Sequence, residues 1–138
     1  MIQERLTVAE YKNIILKEQS QIQNKNKYKN IRCSYEGYNF DSKKEMNRYI
    51  HLKLLVKLKV ITELKLQVKF KLMDGVIYSV NKNSRKDVYY VADFTYTNLE
   101  TNTLVVEDVK SPSTRKNSVY QLKKHLMKLN HGIEIIEI

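Results

Sequence analysis

Residues 88–110 read VYYVADFTYTNLETNTLVVEDVK: two runs rich in Val, Tyr, Phe and Thr, parted by the turn-like NLETN. Such runs favour extended backbone, and a short polar break between them predicts an antiparallel hairpin. Each run also carries acid, Asp93 within YYVADFTY and Glu107 with Asp108 at the end of LVVED. Uncompensated charge is costly to bury, so acids in buried-looking strands need a partner. A chain reversal about Glu100 and Thr101 sets Asp93 opposite Asp108. Like charges facing each other on a sheet repel, and a divalent cation between them resolves the repulsion. Alternation puts Lys110 on the side of Asp108, with Glu107 and Val109 on the other. Two carboxylates with open positions suit Mg²⁺, which keeps several waters and takes phosphate oxygens. With Lys110 orienting an attacking water or stabilising charge on the phosphate, this is the chemistry of phosphodiester hydrolysis.

Working outward, LKLQVKFKL over 64–72 alternates strictly, with Leu64, Leu66, Val68, Phe70 and Leu72 on one face and Lys65, Gln67, Lys69 and Lys71 on the other. Asp74-Gly75 predicts a hairpin turn that returns the chain through VIYSV at 76–80. Upstream, FDSKKEMNRYIHLKLLVKLK reads as an amphipathic helix capped by Asp41 or Ser42, with Met46, Tyr49, Ile50, Leu52, Leu55, Val56 and Leu58 as its apolar positions. Glu36-Gly37 predicts a small hairpin over 31–40. Downstream, VYQLKKHLMKLN predicts a second amphipathic helix, with Val119, Leu122, Leu126 and Leu129 on one stripe and Gly132 as its stop. IEIIEI reads as a last strand. Ahead of all this, LTVAEYKNIILKE over 6–18 predicts a short helix, followed by a polar, basic arm. The order predicts an α+β sandwich: residues 1–30 as a helical extension with a basic linker, and 31–138 as one domain.

The length of 138 residues suits one domain with a real core. A formal net charge of +10, from 25 Lys and Arg against 15 Asp and Glu, predicts attraction to polyanions, DNA first among them. Lysine supplies most of that charge, which favours backbone contacts over the reading of base edges. The single cysteine, Cys33, excludes an internal disulfide and a multi-cysteine zinc site, and a reducing cytosol fits it. With no apolar run approaching about 20 residues and no signal-peptide order at the N-terminus, the expectation is a cytoplasmic protein without a membrane partner. Three glycines leave no Gly-rich phosphate loop, so no nucleotide cofactor is expected. His51, His125 and His131 lack metal-ligand spacing, and Cys33 lacks an activating neighbour.

Glu45 is a third candidate acid, one turn into the first long helix and on the stripe of Tyr49, Leu52 and Val56. It equally completes a capping box, Ser42-x-x-Glu45, and both roles stay open.

An acid on one strand, VADF, followed by acid-x-Lys at the end of the next, VEDVKS, resembles the PD-(D/E)XK endonuclease superfamily. More narrowly, FDSKKEMNRYIHLKLL, LKLQVKFKL, YYVADFTY, VVEDVKS and VYQLKKHL are similar, in order, to a phage-associated family of PD-(D/E)XK proteins related to Holliday-junction resolvases and to the endonuclease subunit of Tn7-like transposition. Ala92 stands where the superfamily pattern has proline, and residues 1–30 fall outside the match. The resemblance implies a restriction-endonuclease-like αβββαβ core, with a central mixed sheet flanked by helices. It implies Asp93, Asp108 and Glu45 as ligands of Mg²⁺ or Mn²⁺, Lys110 as the catalytic lysine, and a position for Gln67 where the narrower family has glutamine. It further implies a homodimer, because two strands must be cut, and a bacterial host cell. Lys65, Lys69, Lys71, Arg115, Lys116, Lys123 and Lys124 are the candidate phosphate contacts, and Gln67 is a further candidate for nucleic-acid binding. The expected function is a metal-dependent DNA endonuclease, selective for branched DNA or recombination intermediates. The alternative is a non-catalytic nucleic-acid-binding or interaction module on the same fold, within a phage or transposition complex.

Overall fold

The computed structural model describes Asn13, residues 31–80 and residues 84–138. The expected helix over 6–18 and the arm after it lie outside the described residues, apart from Asn13, which is helical. The chain divides into two compact units, with the boundary between Lys57 and Leu58.

In the first unit, β1 (Cys33–Tyr35) and β2 (Tyr38–Phe40) pair antiparallel, as Glu36-Gly37 predicted. Both turn residues adopt positive φ, 48° at Glu36 and 82° at Gly37, the twist that a two-residue hairpin needs. Helix α1 (Lys43–Lys57) follows. Ser42 Oγ accepts the Glu45 N–H at 3.1 Å, and Glu45 Oε2 accepts the Asp41 N–H at 3.0 Å, so the helix start is capped from both directions. Tyr49 packs on Phe40, Tyr38 and Tyr35 with ring centroids 5.2, 5.5 and 6.3 Å away. The buried positions include Leu54, whereas Leu55 is half-buried and Val56 exposed. The apolar run LKLLVK is continuous enough for the buried stripe to fall one residue either way.

The second unit is a mixed four-stranded sheet in the order β3 (Ile61–Met73), β6 (Val88–Asn98), β7 (Thr103–Asp108), β8 (Ile136–Glu137). The first three pair antiparallel, while β8 joins β7 in parallel. A parallel neighbour requires a crossover. Here it runs through the short α2 (Pro112–Arg115) and α3 (Ser118–His131). Ser111 caps α2 and Asn117 caps α3, and Gly132, at φ 68°, closes α3 as expected. Burial along β3 alternates residue by residue, with Lys65, Gln67, Lys69 and Lys71 outside. Leu72, Tyr90, Ala92, Val106, Tyr120 and Met127 form the core, and Phe70, Leu126, Ile133 and Ile135 pack against it.

Two expectations are corrected. Asp74-Gly75 does not reverse the chain: neither residue lies in a turn, and the turn residues are Ser79 and Val80, beyond the next short strand, so VIYSV does not return along β3. Instead β4 (Val76–Ile77) pairs with β5 (Ser84–Arg85) as a separate two-stranded ribbon, because β6 already occupies the β3 edge through Met73↔Val88. On α3, the stripe Val119, Leu122, Leu129 is exposed, and the buried positions are Tyr120 and Met127. Lys123 and Lys124 lie on that inner side, half-buried, because their ammonium groups reach an acceptor each: the Tyr89 carbonyl at 3.0 Å and Glu137 Oε1 at 2.6 Å.

Candidate active site

The β6–β7 ladder runs from Asn98↔Thr103 to Phe94↔Glu107. That is the register assumed from the turn, and the next step along it brings Asp93 to Asp108. An Asx turn makes the reversal: Asn98 Oδ1 accepts the N–H groups of Glu100 at 2.9 Å and Thr101 at 3.3 Å. On its other side, β6 pairs with β3 through Leu66↔Phe94 and then Val68↔Ala92, skipping the rung between Gln67 and Asp93. Gln67 has φ 51°, a left-handed conformation costly for a residue with a side chain. Asp93 thus sits just past the end of the β6–β7 ladder, and its side chain makes contacts on both sides. Its Oδ2 accepts the Val109 N–H at 2.8 Å, and its Oδ1 accepts from the Gln67 amide at 3.2 Å.

Lys110 stands between the two acids, its Nζ 2.6 Å from Asp108 Oδ1 and 3.9 Å from Asp93 Oδ2. Side-chain exposure is 1% for Asp108, 13% for Asp93 and 23% for Lys110, so the group is sunk into the surface with its lysine outermost. Burial pushes the Asp93 carboxyl up to about 7, and the adjoining Asp108 carboxyl adds to the rise, against the pull of the Val109 N–H and Lys110. Tyr90 donates its hydroxyl to Asp108 Oδ2. Asp108 Oδ1 is buried and receives no hydrogen bond, so the Lys110 ion pair is its compensation.

Sequence reasoning missed a neighbouring network. Glu137 pairs in parallel register with Asp108 and accepts from Tyr120 at 3.0 Å and Lys124 at 2.6 Å, with Arg115 Nε 3.5 Å away. The Lys124 hydrogen bond leads in holding Glu137 below the usual carboxylate range. Lys110 and Lys124 each approach the Tyr120 ring, their Nζ atoms 5.9 and 5.7 Å from its centroid. In the sequence, Glu137 is one of two acids alternating in IEIIEI, and only the crossover that sets β8 beside β7 could have singled it out. Glu107, on the opposite side, is buried with the Tyr96 hydroxyl 2.6 Å from its Oε1.

The candidate phosphate contacts divide. Lys65, Lys69 and Lys116 are exposed. Arg115 and Lys124 face Glu137, and Lys123 is bound to the Tyr89 carbonyl. Lys71 lies between Asp74 Oδ1 at 2.5 Å and Asp87 Oδ2 at 2.9 Å. Glu45, in the first unit, is buried in its capping arrangement.

Among the described residues, no three His, Cys, Asp or Glu side chains are grouped to hold an ion. The pair itself suits a hard divalent cation, since one buried carboxylate oxygen lacks a hydrogen bond and the other acid is destabilised when charged. No helix among the described residues is long and apolar enough to cross a membrane. No curated protein and no solved structure matches the chain. The model of the family described as protein of unknown function, DUF1064, matches residues 25–133, and the chain belongs to that family.

Proposed function

We propose that this chain is a metal-dependent endonuclease of the PD-(D/E)XK type, acting on DNA with branched or recombination-type structure. The observation that carries the reading is the convergence of Asp93 and Asp108 on the Lys110 ammonium, at 3.9 and 2.6 Å, where a sheet ladder breaks. Asp93 and Asp108 would hold Mg²⁺ or Mn²⁺, which supplies Lewis acidity toward the phosphate and makes water a better nucleophile. Lys110, the most exposed of the three, orients the attacking water and offsets negative charge developing on phosphorus. Tyr90 fixes the Asp108 carboxylate and Gln67 fixes that of Asp93, so that the reacting geometry is held by hydrogen bonds made beforehand. The net charge of +10 and the exposed Lys65 and Lys69 on β3 support a DNA substrate.

The test is cleavage of end-labelled linear, nicked and four-way DNA in Mg²⁺, Mn²⁺ or EDTA. Cutting that needs the metal, and that Asp108→Ala abolishes while DNA binding persists, is the expected result. Binding without cutting by the wild-type chain in either metal would leave only the non-catalytic reading.

A further inference from the structure

The β4–β5 ribbon exposes a run of apolar side chains that nothing in the core requires: Val76 at 49%, Ile77 at 80%, Tyr78 at 51% and Val80 at 97%. Arg85 and Lys86 on the returning segment are exposed beside them. The base of the ribbon is fixed. Gly75 donates its N–H to Asp87 Oδ1 at 2.7 Å, and Lys71 pairs with both Asp74 and Asp87. A Cβ on Gly75 would come within 2.2 Å of the Arg85 carbonyl oxygen, so only glycine lets the two segments approach this closely.

From that base β6 leads to the carboxylates. Tyr89 and Val91 are exposed, opposite Lys71 and Lys69 in the ladder, and Asp93 is the next residue of the same alternation. Five residue steps of strand lead from Val88 to Asp93, about 17 Å at about 3.4 Å per step. This equals roughly five base-pair steps of duplex.

We propose that the β4–β5 ribbon binds unpaired nucleobases, with Tyr78, Ile77 and Val80 against base faces and Arg85 and Lys86 on the neighbouring phosphates. The inference rests on the nuclease reading and deepens it, by naming DNA with unpaired arms as the preferred substrate. Charge complementarity selects the occupant: the apolar run is joined by two cations and continues into Lys69, Tyr89 and Val91 toward the acidic centre, a path that fits a polyanion with flat apolar faces. Apolar wedges set among basic residues are a recurrent means of engaging unstacked bases.

Fluorescence anisotropy on the full chain in EDTA tests this with two labelled DNAs, a blunt duplex and the same duplex carrying two unpaired arms. The wild type is expected to bind the forked DNA about tenfold more tightly, and the triple variant Ile77→Ser, Tyr78→Ala, Val80→Ser to lose that preference while its duplex affinity stays within about twofold. Tyr78→Ala alone, at an exposed position, should lose part of the preference and guards against misfolding of the triple variant. A wild type without fork preference, or variants that keep it, overturns the ribbon proposal; if Asp108-dependent cutting persists in that case, the nuclease reading stands. No DNA binding by the wild type removes both. Ribbon-dependent flotation with phosphatidylserine vesicles and no fork preference would assign the ribbon to a lipid surface instead.

Discussion

Gln67 donates its side-chain amide to Asp93 at 3.2 Å, across a rung that the β3–β6 ladder skips, and does so from a left-handed backbone conformation with φ 51°. A strained residue in contact with a buried acid suggests that the strain is kept for the contact. The two contributions separate by substitution. Gln67→Gly removes the strain together with the amide, so thermal stability should hold or rise, by up to about 1 kcal/mol, while Mn²⁺ affinity falls on the order of tenfold. Gln67→Ala loses the amide and keeps the strain, so both quantities should fall. Calorimetric Mn²⁺ titration alongside thermal unfolding reads both, and unchanged affinity in both variants would remove Gln67 from the site.

The Asp93 carboxyl, raised from an ordinary 3.8 to about 7 by burial and by Asp108, links stability to pH. The folded chain binds this proton more tightly than the unfolded chain. Its stabilising contribution is therefore full below about pH 4 and is lost as pH rises through about 7. In EDTA the melting temperature should fall between pH 5 and pH 8, and Asp93→Asn should flatten that fall. Mn²⁺ selects the ionised pair, so it should raise the melting temperature more at pH 8 than at pH 5. A metal-free chain whose stability does not decline over this range would mean that the two acids do not share one buried site.

Much of this was legible before any coordinates, and the failures have physical causes. The strict alternation of LKLQVKFKL fixed which side of β3 is wet, and the Asx-prone NLETN fixed the hairpin register that joins Asp93 to Asp108. The inward side of α3 was hidden because Lys123 and Lys124 mark it as polar, although their long stems bury while their ammonium groups find the Tyr89 carbonyl and Glu137. Asp74-Gly75 misplaced the reversal, since its glycine serves the close approach of the Arg85 carbonyl and its aspartate pairs with Lys71, roles that a dipeptide does not distinguish from a turn. Tyr90 went unnoticed because a tyrosine in a strand is ordinary, and only its distance to Asp108 distinguishes it.

Salt dependence distinguishes the lysines. Each phosphate contact adds about 0.9 to the slope of log affinity against log salt. Lys65→Ala and Lys69→Ala, at exposed positions on β3, should each lower that slope by about one. Lys124→Ala should leave the slope unchanged and reduce stability, because its ammonium group is committed to Glu137 at 2.6 Å and leaves that acid to Arg115. Equal slope changes in all three would show that Lys124 exchanges Glu137 for DNA.

Two buried tyrosines offer a matched control. Tyr90 donates to Asp108 Oδ2, and Tyr96 donates to Glu107 Oε1 at 2.6 Å, so adjacent acids on β7 are each held by one phenol from β6. A hydrogen bond to a buried charged group contributes about 1.5–3 kcal/mol, so Tyr90→Phe and Tyr96→Phe should destabilise the chain by similar amounts. Their effects on cutting should differ. Without its phenol, Asp108 is held by Lys110 alone and its Oδ2 loses its fixed position, so Tyr90→Phe should lower the cleavage rate about 10–100-fold at saturating DNA, with the loss partly recovered by raising Mn²⁺. Tyr96→Phe should cut normally below its own melting transition, because Glu107 points away from Lys110. Equal loss of cutting in the two variants would tie the effect to stability alone and leave Asp108 without a positioning partner.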